Sequence, residues 1–169
     1  MYASGELMRA MTETSPECIK VVARDGRLLQ MNPAGLAMID ADSWQSVDQA
    51  STIELVAPEH QDMWRANHER VCAGETLLWE FDIVGLKGVR RNMETHASPL
   101  LLSDGTTAQL AITRDVTERN ELRGAQQQLT AELEERVQGR THELEAALRR
   151  LQESERSFEL LVEIGRAHV

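Results

Sequence analysis

Aromatic residues are scarce in this sequence: Phe, Trp and Tyr together make up 4% of it. A modest core of Leu, Val, Ala and Met is therefore expected, and 169 residues fit one domain with a long appendage. Cysteine is nearly missing. Cys18 and Cys72 are too few and too far apart for a disulfide framework or a paired-cysteine metal site, which is the pattern of a reducing compartment. Basic charge is in deficit, with 18 Lys and Arg against 28 Asp and Glu and a net charge of −10. Such a surface argues against nucleic acid or an anionic membrane as partner. No apolar run approaches the roughly 18 to 20 residues of a membrane span, and the opening MYASGELMRAMTETSPE lacks the basic-then-apolar profile of a signal peptide. A soluble, cytoplasmic chain without membrane contact in this segment is the expectation.

What is present is unevenly distributed. All four prolines (Pro16, Pro33, Pro58, Pro99) and all three tryptophans (Trp44, Trp64, Trp79) precede position 100. Residues 1–115 carry 17 acidic and 10 basic side chains, net −7; residues 116–169 carry 11 and 8, net −3. After Asp115 the chain has no proline and is rich in Glu, Arg, Gln, Leu and Ala, all good helix formers. A mixed α/β domain followed by one long helix is the simplest reading.

Within the first part the periods are legible. GELMRAMTET (5–14) reads as a short amphipathic helix stopped by Ser15-Pro16. CIKVVA (18–23) and LLQM (28–31), joined by Arg24-Asp25-Gly26-Arg27, read as a hairpin. Asn32-Pro33 supplies an N-cap and a proline at the first helical position, starting a helix through about Ile39. A second helix is predicted over 59–73, ended by Gly74. LLWEFDIV (77–84) alternates Trp79, Phe81 and Ile83 with Glu80 and Asp82, as a half-buried antiparallel strand does. Turns at 85–88 and 103–105 then lead into strands near 89–98 and at 107–115.

This order, two strands, several helices and three strands, resembles the PAS domain. The residues that carry the likeness are VVARDGRLLQMNPAG (21–35), the boundary Ala73-Gly74-Glu75, the Asp104-Gly105 turn, and Asp115-Val116-Thr117-Glu118-Arg119, which is similar to the Asp-Ile-Thr motif at the exit of many PAS domains. The likeness covers about residues 8–119. It implies an α+β fold: a five-stranded antiparallel sheet with helices on one face, plus a long C-terminal coiled-coil helix. The divisions expected are an N-terminal helical cap (1–14), a PAS sensor domain (15–116), a signalling helix (117–164) and a tail or truncated start of a next module (165–169). Asp115, Thr117 and Arg119 are the expected relay residues, since short polar side chains at a strand end cap the following helix and fix its departure.

From Thr117 to about Ile164 a helix would run on the order of 70 Å, too long to leave its apolar face unpaired. Val137, Leu144, Leu151 and Phe158 fall seven apart, with Arg140, Ala147, Ser154 and Leu161 at the other seam position. Leu122 and Leu129 begin the same spacing, and the register slips once near Leu133, close to Gly139. Glu132–Arg136 and Glu145–Arg149 are favourable pairs one helical turn apart. A parallel homodimer through Leu122, Leu129, Val137, Leu144, Leu151 and Phe158 is expected; a helix folding back on its own domain is the alternative. RVQGRTHELEAALRRLQESERSF also resembles linkers of bacterial sensor histidine kinases and diguanylate cyclases, and SERSFELLVEIG resembles the opening of a second PAS domain. The expectation is a piece of a longer protein with an effector domain in the same chain, best matched by a histidine kinase.

No phosphate loop, carboxylate pair or nucleophile–base arrangement is recognisable, so no catalytic residue is assigned and this segment is not read as an enzyme. His142-Glu143-Leu144 resembles a histidine-kinase phosphoacceptor without its continuation and is read as a solvated linker histidine. Haem ligation by His60, His68 or His96 would make the chain a gas sensor; His68 lies about one turn from the family's ligand position and is read as a surface residue beside Arg65 and Glu69. Neither cysteine stands where flavin photochemistry needs one, and Cys72 is read as a buried small hydrophobe. No metal and no cofactor are expected, leaving an unidentified small molecule as the open ligand class. The candidate pocket comprises Val21, Met63, Trp79, Phe81, Ile83, Leu110 and Ile112. Two readings compete: a sensory input module relaying to an effector, and a ligand-free dimerisation spacer.

Overall fold

The computed structural model of the chain describes residues 4–167. Helix α1 (Ser4–Thr14) ends before Pro16, and β1 (Cys18–Val22) and β2 (Leu28–Met31) form the hairpin. Its turn places Gly26 at φ +88°, a conformation that glycine adopts without penalty. Helix α2 (Pro33–Met38) follows, then short 3-10 turns at Trp44–Ser46, Thr52–Leu55 and Pro58–His60. Helix α3 (Gln61–Cys72) runs to Gly74, where φ +114° lets the chain leave the helix. The remaining strands are β3 (Leu77–Val84), β4 (Arg90–Leu101) and β5 (Thr107–Asp115), followed by α4 (Thr117–Ala167).

The five strands make one antiparallel sheet in the order β2-β1-β5-β4-β3. The first strand therefore pairs directly with the last, and the segment from α2 to α3 carries the chain from the β2 edge to the β3 edge. One face is covered by α2, the 3-10 turns and α3, and its core holds Val22, Leu28, Val47, Trp64, Val71, Phe81, Ile83 and Met93, all buried. Strand β4 runs three residues beyond its expected end. Pro99 falls where β3, whose first residue pairs with Ala97, no longer flanks it, so its missing N–H costs no ladder bond on that side.

Asn32 holds the entry corner together. Its Oδ1 accepts from Gly35 N (3.0 Å), capping α2, and from Ile19 N (2.9 Å). Its Nδ2 donates to Thr12 O (2.9 Å) and Glu17 O (2.8 Å). One amide side chain therefore ties the end of α1, the start of β1 and the cap of α2.

The chain divides into a compact unit through Asn120 and a second unit from Glu121 onward. In the second, α4 continues unbroken through Gly139. Leu122, Leu129, Val137, Leu144, Leu151 and Phe158 are all exposed on it. Leu133 and Leu148 are exposed as well, and they complete three- and four-residue steps such as Leu144, Leu148, Leu151.

Candidate functional site

Between the helical layer and the sheet lies an enclosed cavity with about 20 Å³ of free volume, close to the size of one water. Cys18, Lys20, Met31, Met38, Ile39, Thr52, Leu55, Val56, Phe81, Ile83 and Met93 line it. Of the seven sequence candidates only Phe81 and Ile83 are among these. Trp79 is buried on the same side of β3 but lies outside the cavity's lining. Three others need correcting. Val21, Leu110 and Ile112 alternate to the opposite face of the sheet, where Val21 and Leu110 line a groove with Met8 and Thr12 of α1 and Ile112 is 39% exposed. Met63 also departs from the expected lining: it points outward on α3, 39% exposed.

The interior faces of β1 and β5 carry polar groups instead: Lys20, Gln109 and Thr113. Lys20 is 7% exposed, and its Nζ donates to Thr113 Oγ1 at 3.1 Å. Thr113 is in turn hydrogen-bonded to Thr95 on β4. Burial pushes the Cys18 thiol up, and the neighbouring Lys20 pulls it the other way. Thr52 Oγ1 is buried with no hydrogen-bond partner among the described residues.

His68 is a second correction. It is buried at 4% exposure, not a surface residue, and its ring stacks on Trp64 at 5.0 Å. Its Nε2 faces the Ala23 carbonyl (3.0 Å) and its Nδ1 the Gln109 amide (2.9 Å). A carbonyl only accepts, so Nε2 donates to Ala23 O, while Nδ1 faces the side-chain amide of Gln109. Turning the Gln109 amide by half a rotation would present its Nε2 to Nδ1 and place its Oε1 in the buried position that has no partner. Both ring nitrogens are thus engaged by the protein. His60 Nδ1 accepts from Asp82 N at 2.8 Å, and His96 is exposed on β4. His142 is also exposed, with Glu145 3.8 Å away. Cys72 is buried, 3.8 Å from His68. Among the described residues, no group of three His, Cys, Asp or Glu is placed to hold a metal, and no helix is long and apolar enough to cross a membrane.

The three relay candidates meet at the exit of β5. Asp115 Oδ1 accepts from Thr117 N (2.9 Å) and Thr117 Oγ1 (2.5 Å), while Thr117 Oγ1 accepts from Asn92 N (2.9 Å). Val116, buried beneath this joint, donates its N–H to Asn92 O. Arg119 reaches Glu80 (2.9 Å) and Glu94 (3.2 Å), fastening the first turn of α4 to β3 and β4. The first turn of α4 is therefore continuous with the sheet through hydrogen bonds rather than merely tethered to it.

Sequence reasoning missed Arg91, which connects this joint to the cavity wall. Its two terminal nitrogens pair with both oxygens of Asp40 (2.8 and 2.9 Å), and its Nε lies 3.6 Å from Asp115 Oδ2. Asp40 follows α2 at φ 59°, a left-handed backbone rarely adopted outside glycine. The Arg91 guanidinium holds the Asp40 carboxyl below its ordinary value of 3.8, its hydrogen bonds outweighing the opposing effect of burial. A depressed folded-state value contributes stability above 3.8 that is lost as pH falls through the lower folded value. The stability difference between wild type and Asp40→Asn is accordingly expected to stay level from about pH 8 to 5 and to shrink below about pH 4, as measured by urea unfolding. A difference that changes across the neutral range would contradict the pairing.

The comparisons agree with this geometry. A family profile described as "PAS fold" matches residues 12–121. No curated protein matches the sequence. Among solved structures, the PAS domain of an HTR-like protein from Haloarcula marismortui is similar at TM-score 0.58 and 23% identity, over 66% of this chain and 96% of that one. A domain of a sensory box sensor histidine kinase/response regulator from Geobacter sulfurreducens gives TM-score 0.51 and 26% identity, over 66% and 93%. The PAS domain of nitrogen regulation protein NR(II) from Vibrio parahaemolyticus gives 0.54 and 14%, over 64% and 97%. With the strand order, the helical layer and the match across residues 12–121 in agreement, the chain belongs to the PAS family of sensory domains.

Proposed function

We propose that this PAS domain is a cytoplasmic sensory and dimerisation module that relays through α4, as a parallel coiled coil, to an effector in the same chain, a histidine kinase being the best match. The observation that carries this is the unbroken set of polar contacts from Asp40 through Arg91 to Asp115 and Thr117. Asp40 follows α2, which contributes Met38 to the cavity wall, and Thr117 is the first residue of α4. A displacement of that wall therefore has a direct route to the helix. The exposed apolar stripe of α4 supports a second copy as its partner, since an amphipathic helix gains its stability by burying that stripe against another surface. Likeness to domains from sensor histidine kinases supports the choice of effector over a diguanylate cyclase.

The test is a fusion of residues 1–161 to a histidine-kinase catalytic core in continuous heptad phase. Thr117→Val removes the hydroxyl shared by Asp115 and Asn92 while keeping the side chain's shape. It is expected to change autophosphorylation by about fivefold or more, a coupling of ordinary size, without lowering the dimer fraction. An unchanged rate, with Arg91→Gln equally silent, would reduce the module to a spacer.

A further inference from the structure

We infer that the interior cavity is a binding site for a short aliphatic monocarboxylate, whose carboxylate sits against Lys20 Nζ and Thr52 Oγ1 and whose tail lies among methionines. The inference deepens the sensory reading and rests on it. Three observations converge. Lys20 is over nine-tenths buried on a central strand, yet its only hydrogen-bond partner among the described residues is the neutral hydroxyl of Thr113, and no carboxylate forms an ion pair with it there. A buried cationic group without a counter-charge is costly, and an anion supplied from outside removes that cost. Thr52 Oγ1, on the same cavity, is a buried hydroxyl with no partner, so a second donor for the same carboxylate is already in place.

The rest of the lining sets the ligand class. Beyond Lys20, Thr52 and Cys18 the walls are apolar, and one lysine balances one negative charge. A dicarboxylate or a phosphate would bring in charge with no partner. The free volume of about 20 Å³ is smaller than even acetate, so the cavity must swell on binding. Its walls suit that. Met31, Met38 and Met93 are unbranched and repack readily. Thr52–Leu55 is a single 3-10 turn, and the segment before it is bracketed by left-handed residues at Asp40 (φ 59°) and Gln49 (φ 60°), conformations that cost energy. Swelling under α2 would move Asp40, and with it the Arg91 contact to Asp115.

The experiment is a thermal-unfolding titration of the full chain with sodium propionate at constant ionic strength, with propionamide as the uncharged isostere. Propionate is expected to raise the midpoint saturably, as a ligand of the folded state must, and propionamide is expected to leave it unchanged. Lys20→Met, close in shape, should fold with an equal or higher midpoint and lose the propionate response. Thr52→Val should weaken affinity by about tenfold, the worth of one charge-assisted hydrogen bond. Methyl-labelled methionine spectra should show Met31, Met38 and Met93 shifting with the same affinity. No response to any carboxylate from formate to hexanoate would overturn the inference, as would a response that survives Lys20→Met or, should that variant not fold, an unweakened response in Thr52→Val. Failure here leaves the α4 relay standing, because the Thr117→Val readout does not depend on the ligand.

Discussion

Replacing Leu144 and Leu151 together with aspartate is expected to convert the protein from dimer to monomer at micromolar concentration while leaving the sheet folded. The two leucines are 64% and 58% exposed on the isolated helix. Burying one leucine side chain is worth about 2 kcal/mol, so four across a two-fold seam contribute on the order of 8 kcal/mol. That is comparable with the whole free energy of a 1 μM dimer, about −8 kcal/mol, before the repulsion of facing carboxylates is added. Light scattering measures the mass and far-ultraviolet circular dichroism the fold. A wild type that is monomeric at high micromolar concentration, or a double variant still dimeric, would instead direct attention to α1 and the outer sheet face, where Leu7, Met8, Met11 and Ile112 are exposed.

The largest effect on stability from one polar side chain is expected at Asn32. Alanine there leaves Ile19 N and Gly35 N without their acceptor and Thr12 O and Glu17 O without their donor. A helix cap alone is worth about 1 kcal/mol, and leaving buried backbone groups unpaired raises the cost to about 3 kcal/mol. In a domain of this size that corresponds to roughly 15 °C of melting temperature. Asn32→Asp restores both acceptors but turns a carboxylate toward the two carbonyls, so it is expected to recover little. A loss under about 1 kcal/mol for the alanine variant would mean that the corner is held mainly by packing.

Local signals carried much of the fold. Alternation of Trp79, Phe81 and Ile83 fixed β3 at 77–84, the Asp104-Gly105 turn marked the start of β5, and the Asn32-Pro33 step located the cap of α2. Alternation also separates a strand's two faces, but it does not say which one is interior. On β1 and β5 the residues at the interior parity include Lys20, Gln109 and Thr113, and apolar Val21, Leu110 and Ile112 face outward. Hydrophobicity therefore pointed to the wrong face on the two strands whose interior side carries these polar residues. His68 was obscured in the same way. Its sequence neighbours Arg65 and Glu69 are exposed, and its burial is set by Ala23 and by Gln109, 41 residues away. Arg91 gave no local sign of its role, since its partners Asp40 and Asp115 are distant in sequence and on either side of it, Asp40 by 51 residues.

The central claim, that the exit joint of the sheet sets the packing of α4 in a parallel pair, is tested most directly by cysteine cross-linking along the helix. Single cysteines placed one by one over positions 137–151 are oxidised in the wild-type background and again with Thr117→Val. The account predicts cross-linking maxima at 137, 144 and 151, as a parallel seam requires, and a shift of those maxima along the helix face in the Thr117→Val background. A flat profile, or a periodic one that Thr117→Val leaves in the same phase, would contradict it.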